Sequence, residues 1–228
     1  MKKFFIGLFI MILVFHTGKV YADERAVVGY IISDVWYHNI FLIADKKDSM
    51  AYHNFTVQIG DGGGHEQLYH FPSWYNSKFS PRLYYEDING DELKDIIVVL
   101  ISGAGTGIST KEIHVLNQVR DPYRRYEEVA VESINDAVKR LVKMKREGNE
   151  ITISIDEKKY IVEYSQYGYY PPIDTPGVGS IEDYQPKDGI LYGSTIVTIP
   201  GAQIGNLKVK YSWDGRIYKA ESVTFIEK

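Results

Sequence analysis

The chain has 228 residues, with 26 Lys and Arg, 30 Asp and Glu, and no cysteine. A net charge of −4 gives the chain no overall basic character to meet phosphate backbones, so nucleic acid is not an expected partner. Without cysteine there are no disulfides, no thiolate metal sites and no bacterial lipid anchor at a cleavage site. Stability must therefore come from a hydrophobic core or from bound metal.

Lys2 and Lys3 precede a 12-residue apolar run, Phe4 to Phe15, and Val20-Tyr21-Ala22 follows with permitted residues at −3 and −1 of a cleavage site. This is the pattern of a secretory signal peptide over residues 1–22. The run is too short for a membrane span, which needs roughly 20 apolar residues, and no later stretch is long enough to serve as a transmembrane segment. The expected mature chain is Asp23–Lys228, secreted to the extracellular space or the cell surface. Cleavage removes three of the 26 basic side chains and none of the 30 acidic ones, so the net charge moves from −4 to −7.

Most of the mature chain reads as strand, because 19 tyrosines and many β-branched residues suit a pleated, half-buried surface. Expected strands are Val27 to Ser33, Val35 to Ala44, Phe55 to Ile59, Arg82 to Tyr85, Ile96 to Ile101 and Glu112 to Leu116. Gly and Asp clusters such as Gly60-Asp61-Gly62-Gly63-Gly64 separate them. Ser133 to Arg146 instead reads as an amphipathic helix, with Ile134, Val138, Leu141 and Val142 at helical spacing. Ser133 and Asp136 resemble a capping box, and Gly148 lies just beyond the end. Lys139, Arg140, Lys143, Lys145 and Arg146 then complement the helix C-terminus.

Strand periodicity returns at Ile151, Ile153 and Ile155, with a hairpin to Tyr160–Tyr164. A second hairpin joins Leu207–Trp213 to Arg216–Phe225 through Asp214-Gly215. Between the hairpins, Tyr167 to Pro186 reads as a long loop. The fold class is mainly β with one amphipathic helix and antiparallel sheets. The expected division is a β-rich half over 23–131 and a helix followed by hairpins over 132–228. No internal repeat of constant period is visible.

The segment with the most specific chemistry is Asp87-Ile88-Asn89-Gly90-Asp91-Glu92-Leu93-Lys94-Asp95. Asp87, Asn89, Asp91 and Asp95 place side-chain oxygens at positions 1, 3, 5 and 9, and the Leu93 carbonyl falls at position 7. Hard cations such as Ca²⁺ take six to eight oxygen ligands at this kind of spacing. The three aspartates of this set repel one another unless a cation sits among them. An EF-hand is excluded, because position 6 is Glu92 rather than Gly and position 12 is Val98 rather than Glu. The expected cofactor is calcium, at an affinity on the order of 10⁻⁴ to 10⁻³ M as in extracellular modules.

The run Asp87-x-Asn89-Gly90-Asp91-x-x-x-Asp95-Ile96-Ile97-Val98 resembles the calcium loop and following strand of FG-GAP/VCBS repeats, the integrin α-propeller kind. The resemblance covers Pro81 to Leu100. It implies metal ligation by Asp87, Asn89, Asp91 and Asp95, and a blade-like sheet around the loop. The family commonly has Gly at position 6, and a propeller needs several copies; here position 6 is Glu92 and one copy is present. A blade embedded in another β architecture is therefore expected, not a closed propeller.

Other patterns point less far. Ser102 to Ser109 is Gly-rich but precedes a strand, so it does not form a dinucleotide site, and Gly103, Gly105 and Gly107 suit a tight crossover. His53, His65, His70 and His114 lack zinc spacing. No Gly-x-Ser-x-Gly elbow is present. Adjacent acids Glu182-Asp183 and Glu127-Glu128 would point to opposite faces of a strand and are expected to be solvated. Trp36, Trp74 and Trp213 are expected in the core or at its rim. Tyr164, Tyr167, Tyr169 and Tyr170 with Pro171-Pro172 offer a surface, Tyr167 to Pro172, for a protein or glycan partner. The expectation is an exported, calcium-stabilised binding or structural module without catalytic residues. The alternative is an extracellular hydrolase of cell-wall or other polymer with structural calcium.

Overall fold

A computed structural model describes residues 24–35, 38–47, 51–61, 64, 66–77, 79–167 and 176–228. The signal segment, Trp36, His65 and the Tyr169 to Pro172 stretch lie outside the described residues. Of the described residues 68% are strand and 7% helical, so the chain is mainly β. No helix among them is long and apolar enough to cross a membrane.

The strands fall into three four-stranded antiparallel meanders and one three-stranded sheet, which lies in the chain between the second and the last meander. The first meander is β1 (Glu24–Ile31), β2 (Ile40–Lys46), β3 (Tyr52–Ile59) and β4 (Gln67–Asn76). The second is β5 (Arg82–Glu86), β6 (Asp95–Gly105), β7 (Ile108–Gln118) and β8 (Tyr126–Val131). Helix α1 (Ile134–Leu141) leads into β9 (Val142–Glu147), β10 (Glu150–Ile155) and β11 (Lys158–Glu163). The last meander is β12 (Gly177–Lys187), β13 (Ile190–Ile199), β14 (Ala202–Trp213) and β15 (Ile217–Glu227).

The second and last meanders join into one eight-stranded sheet. Strand β15 runs parallel to β8, pairing Ile217 with Ala130 and Tyr218 with Val131. A second parallel bridge, Ile181 to Ser109, brings β12 against β7. Hydrogen-bonded sheet thus crosses residue 131, and β5–β8 form the blade-like unit that carries the Asp87–Asp95 loop between its first two strands.

Strand β6 explains the core. Its residues Asp95 to Ile101 are all buried. Ile96, Val98 and Leu100 face a cluster with Ile40, Leu42, Phe55, Val57 and Trp74 of the first meander. Ile97 and Val99 face the other way, toward α1 and the inward residues of β9–β15 such as Ile134, Ile153, Leu207 and Tyr218. A strand covered on both faces has no polar alternate positions, which is why Ile96 to Leu100 is an uninterrupted apolar run.

Helix α1 begins as expected. The Ser133 side chain accepts from the Asp136 amide and donates to its carboxylate. The Tyr184 hydroxyl accepts from the Ile134 amide, meeting another free donor of the first turn. The helix ends at Leu141, not Arg146. Val142 is already extended (φ −122°, ψ 131°), and β9 alternates buried and exposed side chains. Val142 pairs with Ile155 and Met144 with Ile153. Laying β9 against the fully buried isoleucines of β10 completes a sheet that a longer helix would leave open. Gly148 consequently sits in the β9–β10 turn at φ 61° rather than capping the helix.

The basic side chains divide accordingly. Arg140 grips both oxygens of Glu132 at 2.9 and 2.7 Å and the Ala220 carbonyl at 2.8 Å, tying α1 to β15. Arg146 lies over the Tyr164 ring, 3.5 Å from its centroid.

The expected loop from Tyr167 to Pro186 is strand from Gly177 onward. Its inward positions are Glu182, Tyr184 and Pro186, a set without apolar alternation. Glu182 is buried rather than solvated; it accepts from Asn135 at 2.9 Å and from the Lys111 amide at 3.4 Å. Its neighbour Asp183 faces outward to Arg82. Asp188 and Gly189, at φ 53° and 73°, form the two-residue turn that closes β12 on β13. The Gly103–Gly107 stretch is a hairpin turn, not a crossover, because Gly105 pairs with Ile108 across antiparallel β6 and β7.

Because Leu100 is fully buried, Leu100→Ala is expected to cost about 2–5 kcal/mol. Urea denaturation of the purified protein checks this; a loss below about 1 kcal/mol would contradict the tight packing of this face.

Candidate metal centre

The loop joining β5 to β6 is ordered by its own polar side chains. Asp87 Oδ1 accepts from the amides of Asn89 (3.3 Å) and Gly90 (2.8 Å), and its Oδ2 accepts from Glu92 (2.9 Å). Asn89 Oδ1 accepts from Asp91 at 2.9 Å, and Asp91 Oδ1 from Leu93 at 2.8 Å. This succession of Asx turns is what short acceptor side chains do where the backbone has no ladder partner. The curl requires two left-handed residues, Gly90 at φ 80° and Glu92 at φ 70°. Glycine takes this conformation freely; Glu92 does so at a steric cost.

Two residues root the loop in the protein. Ile88, at position 2, is buried in the core between β6 and the C-terminal sheets. Asp95, at position 9, is the first residue of β6 and is fully buried. Its Oδ2 accepts from the Ile88 amide at 3.1 Å and from the Tyr218 hydroxyl at 3.4 Å, and its Oδ1 from the Gln118 amide at 3.2 Å. Tyr218 also reaches Asn117 Oδ1 at 2.9 Å.

Burial pushes the Asp95 carboxyl up to about 6; the nearby Asp91 and Asp87 charges push the same way, against the pull of the two amides. The same burial, with Asp95 beside it, raises the Tyr218 hydroxyl well above its ordinary value. From outside, Arg120 donates to the Asp91 carbonyl at 2.6 Å, and Glu86 accepts from the Gly189 amide at 2.7 Å.

The donor set suits a hard cation. Asp87, Asn89 and Asp91 form one curl with the Leu93 backbone, and Asp95 lies beneath it, close enough to sense the charges of Asp87 and Asp91. Asp87 Oδ1 and Asp95 Oδ2 each already accept two hydrogen bonds, whereas Asp87 Oδ2, Asn89 Oδ1, Asp91 Oδ1 and Asp95 Oδ1 each accept one and keep a second lone pair. Among the described residues no group of three His, Cys, Asp or Glu side chains is placed so that it could hold a metal ion.

The supporting partners Tyr218, Asn117, Gln118 and Arg120 carried no signal in the sequence near the loop. Tyr218 lies 123 residues from Asp95, and only the β8–β15 pairing brings it there.

The other sequence candidates separate. His70 shares a hydrogen bond with Thr56 at 3.0 Å. His114 stacks on Trp74 and contacts Glu128 at 2.9 Å. Trp74 is buried, and Trp213 packs at the edge of the larger core. Tyr167 donates to the Ile204 carbonyl at 3.4 Å, at the start of the stretch whose remainder is not described.

No protein-family model, curated protein or solved structure matches the chain.

Tyr218→Phe removes the one hydroxyl shared between the buried Asp95 and Asn117 side chains and is expected to destabilise the fold by about 1–3 kcal/mol. Chemical denaturation checks the value, and an unchanged midpoint would show that the Asp95–Tyr218–Asn117 contact contributes nothing.

Proposed function

We propose that the chain is an exported, calcium-stabilised, β-rich binding or structural module without catalysis. The observation that supports this reading is the placement of the oxygen-rich loop. Asp87, Asn89 and Asp91 curl at the surface, while the last member of the set, Asp95, is buried at the start of the strand that both cores share. Calcium bound there, with Asp87, Asn89, Asp91, Asp95 and the Leu93 carbonyl as ligands, would offset carboxylate repulsion at the entrance to β6. Its effect would be on folding stability, which suits a constitutive brace in calcium-rich surroundings. The export signal in residues 1–22 supports the same location.

Calcium at about 10 mM, with a dissociation constant of about 10⁻⁴ to 10⁻³ M, would stabilise the fold by about 1.4–2.7 kcal/mol. For a chain of this size that raises the melting temperature by about 3–10 °C. Thermal unfolding in metal-free and calcium-containing buffer measures the increment. Asp91→Ala is expected to abolish the increment, whatever it does to the baseline. Identical melting temperatures in the two buffers would refute the structural role, and a full increment in Asp91→Ala would refute the ligand assignment.

A further inference from the structure

Beside the metal loop, a cavity of about 380 Å³ opens between the end of that loop and the β7–β8 connection. Lys94, Arg120, Arg124 and His38 line it, with Glu92 and Asp121 as its acids. Asp121 is already committed: its carboxylate binds the Arg125 side chain and accepts from the Tyr123 amide at 2.9 Å and the Arg125 amide at 3.2 Å. The three cations have no such partner. None of the ion pairs among the described residues involves Lys94, Arg120 or Arg124.

Each cation is instead held by a neutral group. Arg120 donates to the Asp91 carbonyl, Arg124 to His38 Nε2, and Lys94 lies over the Tyr85 ring, 5.4 Å from its centroid. A guanidinium donating to an imidazole nitrogen requires that imidazole to be neutral. Burial holds the His38 pKa below its usual value, and the charges of Arg124 and Lys94 push it the same way. Three like charges around one concavity repel one another, and the concavity focuses their field outward.

We infer that this cavity is a binding site for a small oxyanion, a carboxylate or a phosphate, held by Lys94, Arg120 and Arg124. Guanidinium groups present paired donors that can engage two oxygens of a carboxylate or of a phosphate, and the lysine adds a point charge. The cavity volume lies at the lower end of the range for small-molecule sites, which suits a compact ligand. No proposed metal ligand contributes a side chain to the anion, but the two sites adjoin, since Leu93 lines the cavity and Arg120 donates to the Asp91 carbonyl.

The test is calorimetric titration with succinate and, separately, inorganic phosphate. The buffer is freed of metal over chelating resin, because EDTA is itself a polycarboxylate. Saturable one-to-one binding of either probe is expected, and the preferred probe identifies the anion class. The double variant Lys94→Gln/Arg124→Gln changes two exposed side chains and is expected to weaken binding at least about tenfold, since two charge-assisted contacts are lost. Its melting temperature should match the parent's. Lys208→Gln, on β14, should leave the affinity unchanged.

The inference is overturned if neither probe saturates by about 20 mM, if the double variant binds as tightly as the parent, or if Lys208→Gln weakens binding as much as the double variant does. A calcium-independent melting temperature with intact probe binding would refute the metal reading alone. Calcium stabilisation without probe binding would refute the anion site alone.

Discussion

The buried carboxylate of Asp95 is the contact through which the parts of this protein meet. It begins β6, receives the amide of Ile88 from its own loop, the amide of Gln118 from the end of β7, and the hydroxyl of Tyr218 from β15. A charge with no exposure is costly unless it is surrounded by donors. Two amides and a phenol meet that requirement in part, while burial holds the carboxyl pKa above its ordinary value. A loop rich in further carboxylates directly above pushes the same way, at the position that links the loop, the central meander and the last meander.

Around that contact, the architecture follows from covering β6 twice. One meander of four strands cannot bury a strand on both faces. The first meander supplies one cover through Phe55, Val57 and Trp74. Helix α1, the small β9–β11 sheet and the last meander supply the other. The edges are also managed: β8 is extended by β15, and β7 is met by β12, each through a short parallel bridge. Close packing at Gly193, where a Cβ would fall 2.9 Å from Ile134 and 3.1 Å from Tyr211, allows the helix to lie directly on β13.

The features legible in the sequence were those whose cause is local. The Asx-rich loop, the Ser133 cap, the β10–β11 hairpin and the Asp214-Gly215 turn all depend on residues a few positions apart, and all are present where the pattern places them. Errors arose where distant packing decides. Val142 to Arg146 has a composition that tolerates helix, and only the exposed flank of β10 makes it strand. Strand β12 buries Glu182 and Pro186, whose inward orientation depends on α1, β7 and β13. Strands over 67–76, 126–131 and 190–199 lie outside the strands expected from the sequence, although Asp188-Gly189 ahead of the third is a strong hairpin signal. At the candidate site the loop itself was readable, but its anchorage by Tyr218 was not, since that contact exists only once the two sheets have joined.

The two-sided burial of β6 also sets an order of events as the chain is made. When residue 131 has just been synthesised, the first two meanders can close one core, but Ile97, Val99 and Val115 have nothing to pack against. Their cover begins with Ile134 and is completed by β15, which ends at Glu227. The pairing of β8 with β15 spans nearly the whole second half of the chain, a non-local contact of the kind that slows folding. Until the last strand is available, the nascent protein presents an apolar sheet face and two open strand edges, the features that favour aggregation of incomplete chains.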